Sequence, residues 1–245
     1  EGVRFCYDPK RIVLADCDFR LDRSERVVLT GPNGSGKTSL LSLIVGLVRP
    51  TAGRVEVFGK VRSRESDFHE VRGRAGLLFQ DSDDQLFCPT VAEDVAFGPM
   101  NLGKPREEVR RIVAQTLDAF GLGGYEDRIT YRLSGGEKRL VALAAVLAME
   151  PEILLLDEPT SGLDDDAVER VMDVLCSLPQ AMLIASHDER LLGRLPTRYV
   201  RLADGRLEPH SDRMASNGAG EQSPGRERCS GVDDKRPSHR TESRS

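Results

Sequence analysis

The chain has 245 residues, 39% of them apolar and 31% charged, with a formal net charge of −5. That balance suits a globular protein with one or two cores, and the acidic excess excludes a general nucleic-acid-coating role. No apolar run approaches the roughly 18 residues of a membrane span, and the five cysteines (Cys6, Cys17, Cys88, Cys176 and Cys229) include no C-x-x-C pair. A zinc site or a secreted disulfide framework is therefore disfavoured, and a reducing compartment is expected.

From the first residue to about residue 30, apolar and polar side chains alternate ("RFCYD", "IVLADCDFRL", "ERVVLT"), which predicts strands. The third strand runs into "GPNGSGKT", residues 31–38, followed by a helical pattern through Gly46. Shorter strands are predicted at 53–58 and 75–80. From 91 to 133 the pattern turns helical, with polar loops around 98–104 and 121–131, and reads as a helical subdomain inserted into a domain spanning 1–208.

Regular α/β alternation then resumes. A helix starts at Ser134, and an apolar strand at 153–156 suits a parallel sheet covered on both faces. A helix at about 166–178, a strand at 181–186, a short helix from Asp188 and a hairpin over 199–207, turning at Asp204-Gly205, complete the order. From 209 to 245 Ser, Arg, Gly, Asp and Glu dominate. Such a segment cannot bury enough surface to offset its ordering entropy, so a disordered tail is expected.

The motifs point to phosphate chemistry. "GPNGSGKT" satisfies G-x-x-x-x-G-K-[ST] between a predicted strand and a predicted helix. Its glycines let backbone N–H groups curl around phosphate oxygens, Lys37 supplies a point charge, and Thr38 offers a hydroxyl to Mg²⁺. Far downstream, "ILLLDEPTSGLD" places Asp157 and Glu158 at the end of an apolar strand, where ligands of α/β folds bind. Asp157 can hold Mg²⁺ through water, and Glu158 can polarise an attacking water. Two acids after a strand can also be a merely solvated strand end, and the phosphate loop is what favours the chemical role.

Single residues are weaker signals. Gln80, ending "AGLLFQ", can reach Mg²⁺ or the attacking water, or simply be solvated. His187, after "AMLIAS", can contact a γ-phosphate or be structural; Tyr7 can stack on adenine or pack in the core. "LSGGEKRL" has the capping-box spacing, Ser134 to Glu137, yet two glycines follow the cap where helix stability alone would avoid them. It is either a cap or a phosphate-binding surface.

Taken in this order, the set resembles the ATP-binding cassette (ABC) family of transporter ATPases over about residues 3–208. The matching motifs are Walker A "GPNGSGKT", the Q-loop Gln80, the signature "LSGGE", Walker B "ILLLD" with Glu158, the D-loop Ser161-Gly162-Leu163-Asp164 and the switch His187. The resemblance implies an α/β fold of the P-loop NTPase type: a RecA-like core, an N-terminal antiparallel β-subdomain and an inserted helical subdomain. It implies that Tyr7, Gly31, Asn33, Gly34, Ser35, Gly36, Lys37, Thr38 and Ser39 contact ATP. Thr38, Gln80 and Asp157 would serve Mg²⁺, and Glu158, His187 and Gln80 catalysis. In the family two cassettes pack head to tail, so Ser134, Gly135, Gly136 and Glu137 would act in trans on a nucleotide held by a partner's Lys37, with Ser161 and Asp164 beside them.

The segment "FQDSDDQLFCPTVAEDVAFGPMNLG", residues 79–103, resembles the energy-coupling-factor branch and its cobalt and nickel importers; in the family this region contacts the membrane subunit. The implied partners are a second cassette, as homodimer or heterodimer, an integral membrane coupling subunit and a substrate-capture subunit, with no nucleic acid. The implied place of work is the cytoplasmic face of a cell membrane, and the implied cargo is a transition metal ion or a vitamin. "EDRITYRLSGGE" lacks the T-x-V-G-E-x-G stretch usual in exporters. Two departures stand out: Leu140 replaces a frequent arginine or glutamine, and Asp165 a frequent proline. The rival class is a non-transport cassette acting as a mechanical clamp in DNA repair or on ribosomes; those usually carry long coiled coils or two cassettes in one chain.

Overall fold

The computed structural model describes residues 1–209. The expected disordered tail therefore lies outside the described residues, apart from its first, Pro209. Strands β1 (Val3–Asp8) and β2 (Arg11–Cys17) form an antiparallel pair. A second small pair, β4 (Val55–Val57) and β5 (Lys60–Arg62), turns at Phe58-Gly59, where both residues have positive φ, the backbone of a type I′ hairpin.

The main sheet has six strands. They are β3 (Arg26–Thr30), β6 (Ala75–Leu78), β7 (Ile153–Asp157), β8 (Ala181–Ala185), β9 (Arg198–Ala203) and β10 (Arg206–Pro209), in the order β10-β9-β3-β8-β7-β6. All pairings are parallel except the terminal hairpin β9–β10. The consequence is directional. Strands β3, β6, β7 and β8 end on the same edge, so their following loops converge there.

Alternation along these strands divides the core between the two faces of the sheet. Val28, Leu154, Leu156, Met182 and Ile184 pack with the helices α3 (Val91–Asn101), α4 (Arg106–Ala119), α5 (Gly135–Ala148) and α6 (Asp165–Ser177). Val27, Leu29, Leu155, Leu183 and Ala185 pack instead with α1 (Lys37–Ile44) and the N-terminal strands. Strands β6 and β8, and β7 up to Asp157, are apolar because neither of their faces meets water.

The structure departs from the sequence pattern in four places. Helix α3 does not yield to a loop at 98 but runs through Gly98 and Pro99 to Asn101. Gly98 serves packing there: a Cβ would lie 2.4 Å from Met149 Cγ, so the glycine lets α3 approach the α5 end. Strand β6 stops at Leu78, two residues before Gln80, because Phe79 N–H is diverted to Gln85 Oε1. Helix α2 (Asp67–Arg74) gives no amphipathic signal, since only Phe68 and Val71 are buried; it is held by Glu70 accepting from Lys60, Arg62 and Arg74. Strand β5 was equally illegible in so polar a stretch. The last helix, α7 (Glu189–Arg194), is capped by Asp188 as its sequence suggests.

Candidate functional site

The loop after β3 is the centre of the site. Gly31, Gly34 and Gly36 all have positive φ (144°, 76° and 107°). At Gly31 a Cβ would sit 2.1 Å from the Leu202 carbonyl oxygen, so a side chain is excluded by the sheet as well as by the turn. The chain curls back on itself and delivers Lys37 as the first residue of α1, only 7% exposed. Lys37 Nζ donates to the Gly31 and Pro32 carbonyls at 2.7 and 3.2 Å, and burial lowers its pKa against the opposing pull of Glu158 and Asp157.

Asp157 closes β7 directly opposite. Its carboxylate accepts from Thr38 Oγ1 at 2.5 Å and is 2% exposed; burial raises its pKa, opposed by that hydrogen bond and by Lys37 and Arg139. The next residue, Glu158, turns away in the left-handed region at φ 49°, a conformation costing about 1–2 kcal/mol for a side-chain-bearing residue. Its N–H is held by the Ala185 carbonyl at 2.8 Å. His187, two residues past β8, stands between the halves: Nε2 lies 3.3 Å from Lys37 Nζ and 3.8 Å from Glu158 Oε1.

These groups share one open cavity of about 400 Å³, whose lining includes Lys37, Thr38, Gln80, Asp157 and Glu158. Asn33, Gly34, Gly36 and Ser39 line it too. Tyr7 stands at its rim, 68% exposed, with its hydroxyl 3.2 Å from Ser39 Oγ and its ring edge-on to Phe5 at 4.7 Å. Tyr7 is thus not a core residue. Arg11 and Val13 also reach the cavity, which sequence reasoning missed; both lie on β2, four and six residues after Tyr7, and the hairpin fold brings them there.

The donor set fits a bound polyphosphate and its cation. Ser35 Oγ is buried in the loop without a hydrogen-bond partner, as a group awaiting an acceptor or donor in the cavity would be. Thr38 and Asp157 juxtapose a hydroxyl and a carboxylate, the hard oxygen donors Mg²⁺ prefers. Among the described residues no three His, Cys, Asp or Glu side chains converge, so such a cation would be shared with phosphate oxygens rather than caged by protein.

The signature residues lie elsewhere. Ser134 caps α5 with a complete capping box: its Oγ accepts from Glu137 N–H at 3.3 Å, and Glu137 Oε2 accepts from Ser134 N–H at 2.8 Å. The Ser134 backbone and hydroxyl bonds hold the Glu137 carboxyl below its ordinary range, with Tyr125 and Arg128 adding to them. None of residues 134–137 lines the Lys37 cavity. Gly135 borders a second, more open concavity with Ser161, Gly162, Lys138, Arg139 and the acidic 81–84 stretch, which adjoins the first through Thr38 and Gln80. A Cβ on Gly135 would meet nothing within 4 Å, while Gly136 packs toward Gly162. Asp164 is exposed and caps α6, accepting from Ala167 N–H at 2.8 Å.

Leu140 is buried in the core, and Arg139 beside it makes the contacts the signature helix has with the rest of the site. Its guanidinium, 2% exposed, donates to the carbonyls of Phe79, Gln80, Asp157 and Glu158. Nothing in the recognised motifs marks Arg139. The one available signal is an arginine at the start of a helix face otherwise made of Leu140, Leu143 and Ala144.

Comparison with known proteins agrees with this geometry. The family model described as "ABC transporter" matches residues 14–161. A putative ABC transporter ATP-binding protein of Brucella suis is 52% identical over 81% of this chain and 83% of its own length. The energy-coupling factor transporter ATP-binding protein EcfA of Methanothermobacter thermautotrophicus is 42% identical over 84% of this chain and 67% of that one. Among solved structures, the cassette MJ0796, described as a dimer in a post-hydrolysis state bound to ADP and Pi, superposes with a TM-score of 0.79 at 26% identity, covering 85% of this chain and 97% of that one. The chain belongs to the ABC transporter family, as one of its ATP-binding, ATP-hydrolysing subunits. No helix among the described residues is long and apolar enough to cross a membrane.

Proposed function

We propose that this chain is the ATP-hydrolysing subunit of an energy-coupling-factor-type importer, working at the cytoplasmic face of a membrane through integral membrane partners. The observation that carries the ATPase part is the convergence of Lys37, Thr38, Gln80, Asp157, Glu158 and His187 at one sheet edge. In this reading the 31–38 loop cradles the β- and γ-phosphates, Lys37 exchanges its carbonyl partners for phosphate oxygens, and Tyr7 stacks on the base. Thr38 and, through water, Asp157 and Gln80 hold Mg²⁺, which neutralises phosphate charge. Glu158 accepts the proton of the attacking water, and His187 steadies the γ-phosphate from the other side.

The signature terminus is separated from its own chain's cavity, so we assign it to a nucleotide on a second cassette. A helix N-terminus offers free N–H groups and the positive end of a dipole, and Gly135 leaves them unobstructed. The importer assignment rests on the likeness to EcfA and on the 79–103 segment, which presents Phe87, Phe97, Met100 and Leu102 to the surface, the two phenylalanines edge-to-face at 4.7 Å. An exposed apolar group of this kind suits a membrane-subunit helix. A transition metal ion, cobalt or nickel, is the cargo we favour over a vitamin, on the resemblance of the 137–164 stretch to metal-uptake members.

Glu158→Gln tests the chemistry. The variant is expected to accumulate an ATP-bound dimer on gel filtration with turnover reduced at least about 100-fold; undiminished hydrolysis rejects Glu158 as the base. Co-purification of an integral membrane protein with the tagged chain tests the transport assignment, and capture of ribosomes or DNA instead overturns it.

A further inference from the structure

Arg139 is a buried cation that Asp157, Glu158 and Asp81 attract only from beyond ion-pair distance. Among the described residues it forms no ion pair, its Nε has no hydrogen-bond partner, and burial depresses its pKa to about 10. A buried charge left this way costs desolvation that a neutral core residue would not, so stability alone is a poor reason for an arginine here. What the guanidinium does is geometric. One terminal nitrogen (Nη1) donates to Phe79 O at 2.5 Å and Gln80 O at 3.2 Å; the other (Nη2) donates to Asp157 O and, at 2.6 Å, to Glu158 O.

Those four carbonyls lie at the ends of the neighbouring strands β6 and β7, just past their last mutually paired residues, Leu78 and Leu156. The first is where β6 breaks off toward Gln80; the second is where β7 ends and Glu158 enters its left-handed backbone conformation. Strained residues persist only where their surroundings over-determine them. At Glu158 the N–H is held by Ala185 O, and the C=O is held by Arg139 and by Ser161 N–H at 3.1 Å. Arg139 itself sits five residues past Ser134 on α5, and Ser134 does not line this cavity.

We infer that Arg139 is a positioning residue for hydrolysis: its planar fork fixes the Gln80 and Glu158 main chains relative to each other and ties both to the signature end of α5. The inference rests on the catalytic reading above. It has a further consequence for a head-to-tail pair of cassettes. A phosphate docking on one chain's α5 terminus moves that chain's own Gln80 and Glu158 through a single buried side chain, so the two composite sites are mechanically joined. Lysine cannot substitute fully, because an ammonium has no rigid fork with which to hold two pairs of acceptors.

The test compares Arg139→Gln and Arg139→Lys with the parent chain, measuring steady-state ATP hydrolysis, the affinity of a fluorescent ATP analogue for the monomer, and thermal unfolding. Both variants are expected to bind the analogue within about twofold of the parent while kcat falls about tenfold or more, Lys retaining more activity than Gln, and the Hill coefficient for ATP drops toward one. A folded Arg139→Gln protein with kcat within twofold of the parent overturns the inference. So does failure of both variants to fold, which would make Arg139 a brace of the fold instead. Should the parent chain hydrolyse no ATP, or Glu158→Gln leave its turnover intact, the catalytic reading fails first; loss with Glu158→Gln but not with Arg139→Gln removes this inference alone.

Discussion

The cavity around Lys37 draws its polar groups from β1, β2 and the ends of β3, β6 and β7, with His187 after β8 in contact with Lys37, whereas the α5 terminus is assembled from four consecutive residues, Ser134 to Glu137. The first exists only because four parallel strands stop on one edge. The second is complete as a local motif, with both reciprocal bonds of its capping box formed. Yet the local motif is the functionally incomplete one. It does not line its own chain's cavity, and in our reading it acquires a phosphate only from a second cassette. Structural self-sufficiency and chemical self-sufficiency are thus opposite in the two regions.

The strongest way to break this contrast is to disable each region separately. Lys37→Ala is expected to lower nucleotide affinity of the isolated chain and abolish turnover, a fall of at least about 100-fold in hydrolysis. Ser134→Arg should abolish turnover as completely while leaving monomer affinity unchanged, because in our reading that residue serves the other subunit. Mixing the two inactive proteins creates one intact composite site per mixed dimer, so activity should return to a measurable fraction of the parent's. No recovery in a demonstrated mixed dimer sinks the assignment in trans.

Gly135 offers a subtler separation. A Cβ there meets nothing within 4 Å, and alanine is the better helix former, so Gly135→Ala should raise stability by about 0.5–1 kcal/mol. Turnover should nevertheless fall, since the methyl stands where a partner's phosphate approaches. Ser134→Ala should do the reverse to the fold, costing about 1 kcal/mol through the lost cap. If thermal unfolding and turnover moved together in both variants, the glycines would be structural only.

The smallest expected effect distinguishes the regions by pH. Glu137 has a lowered pKa, chiefly from its bonds to Ser134, so it stabilises the fold above the ordinary carboxylate value and that contribution is lost as pH falls through the lowered one. Asp157 has a raised pKa from burial, so its ionisation weighs against folding once pH rises from the ordinary value through the raised one. Denaturant midpoints of Glu137→Gln and Asp157→Asn should therefore shift in opposite directions at neutral pH, down for the first and up for the second. Both differences should shrink as pH falls below the carboxylate range; shifts of the same sign would contradict this account.

How much of this was legible in the chain depends on whether the signal was local. "GPNGSGKT" and "ILLLD" announced themselves because a phosphate loop needs glycines at fixed offsets and a doubly covered parallel strand must be apolar throughout. The S-x-x-E spacing at Ser134 was equally plain. Helix α2 and strand β5 were hidden, since their packing relies on ion pairs around Glu70 and not on an apolar stripe. The loop expected near 98 failed because a glycine usually read as a breaker is used here for contact with Met149.

The sequence by itself determined most of the element order, the family resemblance and most of the residues that line the Lys37 cavity, because each rests on short-range spacing. Only the tertiary structure decided which of them meet. It set His187 between Lys37 and Glu158, brought Arg11 and Val13 to the Lys37 cavity, left Ser134 out of its lining, and joined Gln80 to Glu158 through Arg139. The reason is topological: these residues are dozens of positions apart, and it is the parallel strand order, with a single buried guanidinium across it, that brings their backbones within hydrogen-bonding reach.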